Sequence, residues 1–273
     1  MIELVGEIGL NHNGDIEIAK KLIDVCHVAG VHYVKFQKRD IESCYTKEFL
    51  DSPRESPWGT RQRHQKMGLE FDEKEYDEID KYCYRVGMQW FASAWDLISL
   101  DFIMQYNIPF IKIPSALITD FDFLERTRKY DQQVILSTGM STQDMIDDAI
   151  EILGIEKIYC IMQCTSTYPS ASKEQNLQCI ANFKVKYPWT KIGFSNHSPG
   201  LTYMTVAAGL GAEVIEFHIT LDRAMYGSDQ AASIEPEGVL KIAKYVRKIQ
   251  DAMGDGIKKI YPSEEPIIKK LRK

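Results

Sequence analysis

Eight short apolar runs, each followed by an amphipathic stretch, recur along this chain, and that alternation limits the fold more than any other feature. The runs are 3–9, 32–37, 88–93, 109–113, 133–137, 157–163, 190–195 and 213–218. Each reads as a buried strand. Between them lie helical stretches such as DIEIAKKLIDVCHVAG, FDEKEYDEIDKYCYRVG, DFLERTRKY and TQDMIDDAIEIL; the last helix follows EPEG and runs to about 252. Gly30, Gly87 and Gly211 close helices just before the next strand. Strand–helix repetition implies an all-parallel sheet, and no shift in composition marks a second domain. Closure into one (β/α)8 TIM barrel over residues 1–254 is the simplest solution. Residues 255–273, ending KKLRK, read as a polar, solvated C-terminal tail. One segment breaks the alternation. Residues 38–71, with SPRESPWGTRQRHQKMGLEF, form a polar insertion after strand two, of the kind that serves as a lid or a substrate-binding element.

Composition excludes several classes of function. A formal net charge of −6 over 273 residues makes a poor general nucleic-acid binder. No apolar run approaches the roughly 20 residues of a spanning helix. The start, MIELVGEIGL, lacks a basic leader and enters a strand at once, so no signal peptide is expected. The six cysteines include no C-x-x-C pair, and Cys160 and Cys164 are poorly spaced for a disulfide. Reduced, mostly buried thiols in a cytoplasmic protein are the expectation.

Active sites of such barrels form at the carboxyl ends of the strands. Two histidines end neighbouring runs there, His197 in IGFSNHS and His218 in GAEVIEFHIT. Imidazoles side by side at one sheet edge suit a divalent cation. The other strand ends carry Glu7, Lys35 and Gln37, Ser93 and Trp95, Lys112 and Ser115, Ser137–Gly139, Gln163 to Tyr168, and Glu216. Parity sharpens the pattern. Lys35 and Gln37 share one face against Val34 and Phe36; Glu216 and His218 share one against Ile215 and Phe217. The polar set can therefore face the barrel axis.

Two lysines, several hydroxyls and turn amides suit a phosphate. At about 4 Å and an effective dielectric near 20, each opposite charge pair contributes roughly 4 kcal/mol before desolvation. Such a site favours a multiply anionic substrate. Other readings stay open on the residues alone. Either lysine could pair with Glu7 or Glu216, or act as a Schiff-base nucleophile. The hydroxyls could be turn formers, and Trp95 could be packing. Glu7 could be acid, base or additional ligand, and His12 could lie at the surface.

The ordered segments GEIGLNHNG, VKFQ, KIPS, ILSTGMST, CTSTYP, IGFSNHSPG and IEFHITLDRAMYGSDQAASIEPEG cover nearly the whole chain. In them the chain resembles the sialic acid synthase (N-acetylneuraminate synthase) family, which condenses phosphoenolpyruvate with an amino sugar or sugar aldehyde. The resemblance implies a catalytic carboxylate at Glu7 and a manganese or magnesium ion on His197 and His218. It implies phosphoenolpyruvate contacts from Lys35, Ser93, Lys112, Ser115, Ser166 and Ser195, and acceptor contacts from Gln37, Trp95, Tyr168 and Asp229. Ser93 stands where relatives can carry threonine, Ser166 where they can carry asparagine, and Trp95 replaces a smaller aromatic. Leu117 replaces an acidic residue near the acceptor. Full-length synthases continue into a small antifreeze-like domain, which this chain is expected to lack. The implied substrates are phosphoenolpyruvate and a sugar aldehyde, with no nucleic acid or membrane partner and a homodimer as a compatible assembly. The implied reaction is an aldol-type condensation that forms a 3-deoxy-2-keto acid and releases phosphate. A synthase of a shorter keto acid, a class I aldolase and a non-catalytic sugar-phosphate-binding barrel are the alternatives.

Overall fold

The computed structural model describes all 273 residues. Eight parallel strands close into a barrel: β1 (Glu3–Gly9), β2 (Tyr33–Lys38), β3 (Gln89–Ala94), β4 (Phe110–Ile113), β5 (Gln133–Ser137), β6 (Ile158–Cys164), β7 (Lys191–Asn196) and β8 (Val214–His218). Each strand pairs with the next in chain order, and β8 returns to β1. The strands fall within a residue of the runs expected from hydrophobicity. Runs such as Ile158–Cys164 are buried almost throughout, because helices cover the outer face and side chains fill the interior.

The helices begin and end where local chemistry directs. Asp15 accepts from the amides of Glu17 and Ile18 to open the helix Ile16–Ala29, and Gly30, at φ 72°, closes it in the left-handed region that glycine adopts without strain. Asp72 and Glu75 form a reciprocal capping box at the head of Glu73–Val86. The buried apolar residues form one cluster of 59, so a single core accounts for the barrel.

The insertion after β2 is structured rather than an open loop. It forms two short helices (Ile41–Cys44 and Lys47–Asp51), a hairpin (Pro53–Ser56 with Gly59–Arg61) and the helix Gln62–Leu69. Its elements are too short to show a clear period, which is why the sequence pattern does not reveal them. Trp58 meets Tyr226 of the loop after β8 edge-on, with ring centroids 5.8 Å apart, and Gln65 donates to the Tyr226 hydroxyl at 3.2 Å. The segment therefore packs against the loop after β8 on the carboxyl-end rim. At the other end of the chain, residues 255–273 include a short turn and the exposed helix Glu265–Leu271. No helix is long and apolar enough to cross a membrane.

Candidate active site

A cavity of about 280 Å³ opens at the carboxyl ends of the strands. Glu7 of β1, Lys35 and Gln37 of β2, and Ser93 and Trp95 at the end of β3 line it. So do Lys112 and Ser115, Ser166 and Tyr168, Ser195 and His197, and Glu216 and His218. Of the residues expected from sequence, only Asp229 is outside the lining; it lies just behind, with Oδ2 3.7 Å from His218 Nδ1. A wider cleft of about 490 Å³ beside Lys81, Tyr84 and Trp90 lies at the opposite ends of the strands and gathers no comparable set of groups.

Parallel register builds this convergence. Glu7 is level with His218 on one side and Lys35 on the other. Glu216 is level with Ser195, and Ser93 with Lys112. Residues at one level with one parity point to the same side of the sheet, so eight strand ends deliver their polar side chains to one space.

At the floor is a buried ion cluster. Lys35 Nζ is 3.0 Å from Glu7 Oε2 and 3.4 Å from Glu216 Oε1. Lys112 donates to both oxygens of Glu216, at 3.1 and 3.0 Å. The four side chains are at most 5% exposed. Of the readings open for the lysines, both are ion-paired. Burial alone would raise the Glu216 carboxyl, but Lys112 and Lys35 override it and hold it down at about 2. Burial favours neutral Lys35, yet Glu216 and Glu7 lift it above the ordinary lysine value. Lys112 is held below that value, by burial and by Lys35 beside it. The cluster sets two lysines against two glutamates.

The two histidines share the cavity, with ring centroids 5.6 Å apart. His197 Nδ1 lies 2.6 Å from the Thr165 carbonyl, which can only accept, so Nδ1 carries the proton and Nε2 the lone pair. The Tyr168 hydroxyl reaches that Nε2 at 2.9 Å, and its ring stacks on the imidazole. Burial, aided by His218, lowers the His197 pKa to about 3. His218 Nδ1 is buried without a hydrogen-bond partner. No group of three or more His, Cys, Asp or Glu side chains converges as a cation cage, so the chain offers a pair of imidazoles rather than a closed set.

A hydroxyl-rich wall faces the lysines. The Gly139 amide donates to Ser115 Oγ at 3.0 Å. A Cβ at Gly139 would fall 2.1 Å from Ser166 Oγ and 2.8 Å from Ser115 Oγ, so glycine alone lets this turn approach both hydroxyls. Leu117, at the position where an acidic residue was expected in relatives, is half-buried against the core. His12 is not a surface residue: it is 2% exposed and stacks on Phe71 at 3.9 Å. Sequence reasoning named Glu216 as a possible partner of either lysine, and the structure pairs it with both. The same reasoning passed over Arg39, whose spacing of two from Gln37 was the available signal.

Residues 22–258 match the NeuB family. The chain belongs to the NeuB family. Among its NeuB relatives, the N-acetylneuraminate-9-phosphate synthase of Mus musculus is 34% identical over 273 residues, 99% of this chain and 76% of the mouse protein. The N,N'-diacetyllegionaminic acid synthase of Campylobacter jejuni is 33% identical, over 99% of this chain and 83% of its own length. The crystal structure of the N-acetylneuraminic acid synthetase of Leptospira borgpetersenii, in complex with citrate, superposes with a TM-score of 0.87 at 28% identity. That match covers 98% of this chain and 90% of the other. A truncated 3-deoxy-D-arabino-heptulosonate 7-phosphate synthase from Thermotoga maritima, at TM-score 0.70 and 17% identity, shares the fold. This NeuB chain is an enzyme, a phosphoenolpyruvate-dependent synthase of the sialic-acid type.

Proposed function

We propose that the cavity joins C3 of phosphoenolpyruvate to the aldehyde carbon of an aldose or amino sugar resembling N-acetylmannosamine. The product is a 3-deoxy-2-keto acid of the sialic type, nine-carbon for a hexose acceptor. The observation that carries this reading is the convergence of Glu7, two lysines, a hydroxyl wall and two histidines on one space of about 280 Å³. Lys35, Lys112, Ser93, Ser115, Ser166 and Ser195 are assigned to phosphoenolpyruvate. Its phosphate and carboxylate oxygens would take donors from the ammonium groups and hydroxyls, in a site dry enough for each charge-assisted bond to count.

His197 and His218 are assigned to a divalent cation, Mn2+ or Mg2+. They fit: His197 presents a neutral Nε2, His218 keeps a buried nitrogen unpaired, and water or substrate oxygens would complete the open positions. Such an ion, when bound, supplies Lewis acidity toward the aldehyde oxygen of the acceptor. Tyr168 and Asp229 stand beside the two imidazoles, and with Gln37 and Trp95 they are assigned to the acceptor. As C3 attacks the aldehyde carbon, positive charge develops at C2. Water adds there, its proton passing by way of the Glu7 carboxylate to the alkoxide formed from the aldehyde oxygen. The tetrahedral intermediate then collapses to the ketone, its C2 hydroxyl proton leaving with the phosphate as the C–O bond breaks. Lys35 and Lys112 stabilise the charge on the leaving phosphate. Residues 1–254 are proposed as the catalytic unit. The six free cysteines support a reducing, cytoplasmic setting, and a homodimer is the proposed assembly.

The test supplies phosphoenolpyruvate, manganese and a panel of aldoses, phosphorylated and not, and measures phosphate release. Acceptor-dependent release with a hexosamine is expected. No release above background with any sugar would overturn the reading.

A further inference from the structure

Arg39, one residue beyond the end of β2, is 7% exposed, yet it lines no part of the cavity. Its guanidinium lies over the Trp95 ring, 4.3 Å from the centroid. The NH2 group donates to Gln37 Oε1 at 2.5 Å. The NH1 group is 3.5 Å from Glu70 Oε1, and the Arg39 amide donates to Glu70 Oε2 at 3.1 Å. Glu70 follows the last helix of the insertion, so the insertion clamps the arginine from above while Trp95 supports it from the side. On its other side, Gln37 donates from Nε2 to Glu7 Oε1 at 2.6 Å.

The direction of these bonds is fixed by chemistry. The two ends of a glutamine amide are nearly isosteric, so packing alone does not decide which faces where. A guanidinium carries only donors and a carboxylate only acceptors. Placed between them, the Gln37 amide has one satisfied orientation: oxygen toward Arg39, NH2 toward Glu7. Without the guanidinium, the amide is free to turn its oxygen to the cavity or to the carboxylate, and the latter would face two acceptors together. Glu7 would then keep Lys35 on one oxygen, 3.0 Å away, and lose its anchor on the other.

We infer that Arg39 is a positioning residue for the condensation: it fixes the Gln37 amide, and through it the Glu7 carboxylate, in the geometry that meets the reactants. This rests on the role of Glu7 proposed above. It also assigns the insertion a function, because Glu70 holds the arginine.

Two measurements on the full chain test it. The first follows the Gln37 side-chain NH2 resonances by NMR, assigned through their loss in Gln37→Met. In Arg39→Met they should shift and exchange faster with solvent; unmoved resonances would overturn the inference, whether or not any sugar is turned over. The second is a kinetic cycle of Arg39→Met, Gln37→Met and the double variant. Arg39→Met should lower kcat on the order of 10-fold or more, with KM for phosphoenolpyruvate changed less than about 3-fold. In the Gln37→Met background the same change should cost less than about 2-fold. Equal fractional losses in both backgrounds would assign Arg39 a purely structural role and overturn the inference. Arg39→Lys keeps the charge without the forked donor and should recover only part of the rate. A wild-type chain inactive with every acceptor would sink the proposed reaction, while the NMR result would still decide whether Arg39 orients Gln37.

Discussion

Lys112 donates to both carboxylate oxygens of Glu216, at 3.1 and 3.0 Å, and neither side chain is more than 4% exposed. Glu216 also accepts from Ser195 Oγ at 3.2 Å and lies 3.4 Å from Lys35. One carboxylate thus holds two ammonium groups and a hydroxyl in place before any substrate arrives.

Glu216→Gln keeps the shape and removes the charge. Two buried lysines then share only Glu7 as a counter-ion. Breaking a buried pair from one side costs about 3–5 kcal/mol. Chemical denaturation should show that loss as a lower midpoint with an unchanged slope. A midpoint equal to wild type would mean that water, not Glu216, compensates the lysines.

Glu7→Gln should lower kcat by about 10²–10⁴-fold, the usual range for a lost proton-transfer group. Phosphoenolpyruvate should still raise the melting temperature of the variant, because Lys112 and the hydroxyl wall remain. Full turnover in this variant would remove Glu7 from the chemistry.

The eight strands were legible because each is a continuous apolar run, and burial on both faces leaves that mark on composition. The histidine pair was legible for a related reason: parallel strands bring their last residues to one edge. Which acid would meet which lysine was not. That pairing depends on how far each side chain reaches across the barrel, which neither period nor parity records. The burial of His12 was hidden because Phe71, its stacking partner, comes from the far end of the insertion. Asp229 lies just outside the lining, behind His218.

Chelation should abolish turnover, and manganese should restore it. His197→Ala and His218→Ala should each lower bound manganese, measured by titration calorimetry, from about one per chain. Equal binding by the double variant and the wild type would move the cation elsewhere.

His12 makes stability depend on pH. Burial holds its folded-state pKa at about 3, against an ordinary value of 6.5. The unfolded chain binds this proton below 6.5 and the folded chain does not until about 3. The stabilisation is therefore complete above 6.5 and is lost as pH falls through that window, with a limiting slope of about 1.4 kcal/mol per pH unit. Denaturation series from pH 7 to 4 should be shallower for His12→Gln. An identical acid slope would assign the loss to other groups.

Gly68→Ala tests the docking of the insertion. A Cβ there would fall 2.2 Å from Cγ of Trp58, so the indole must move off Tyr226. The melting temperature should fall and KM for the acceptor should rise, with KM for phosphoenolpyruvate little changed. Unaltered acceptor kinetics would confine the insertion to a structural part.

The floor of this barrel is salt rather than hydrocarbon. Engineers seeking heat tolerance commonly fill such layers with leucine and isoleucine, and isosteric hydrophobic replacement of buried ion pairs can gain stability. Here the same four side chains, Glu7, Lys35, Lys112 and Glu216, line the cavity proposed to hold the substrates. A sturdier version made that way would be a well-folded barrel with nothing left to react on.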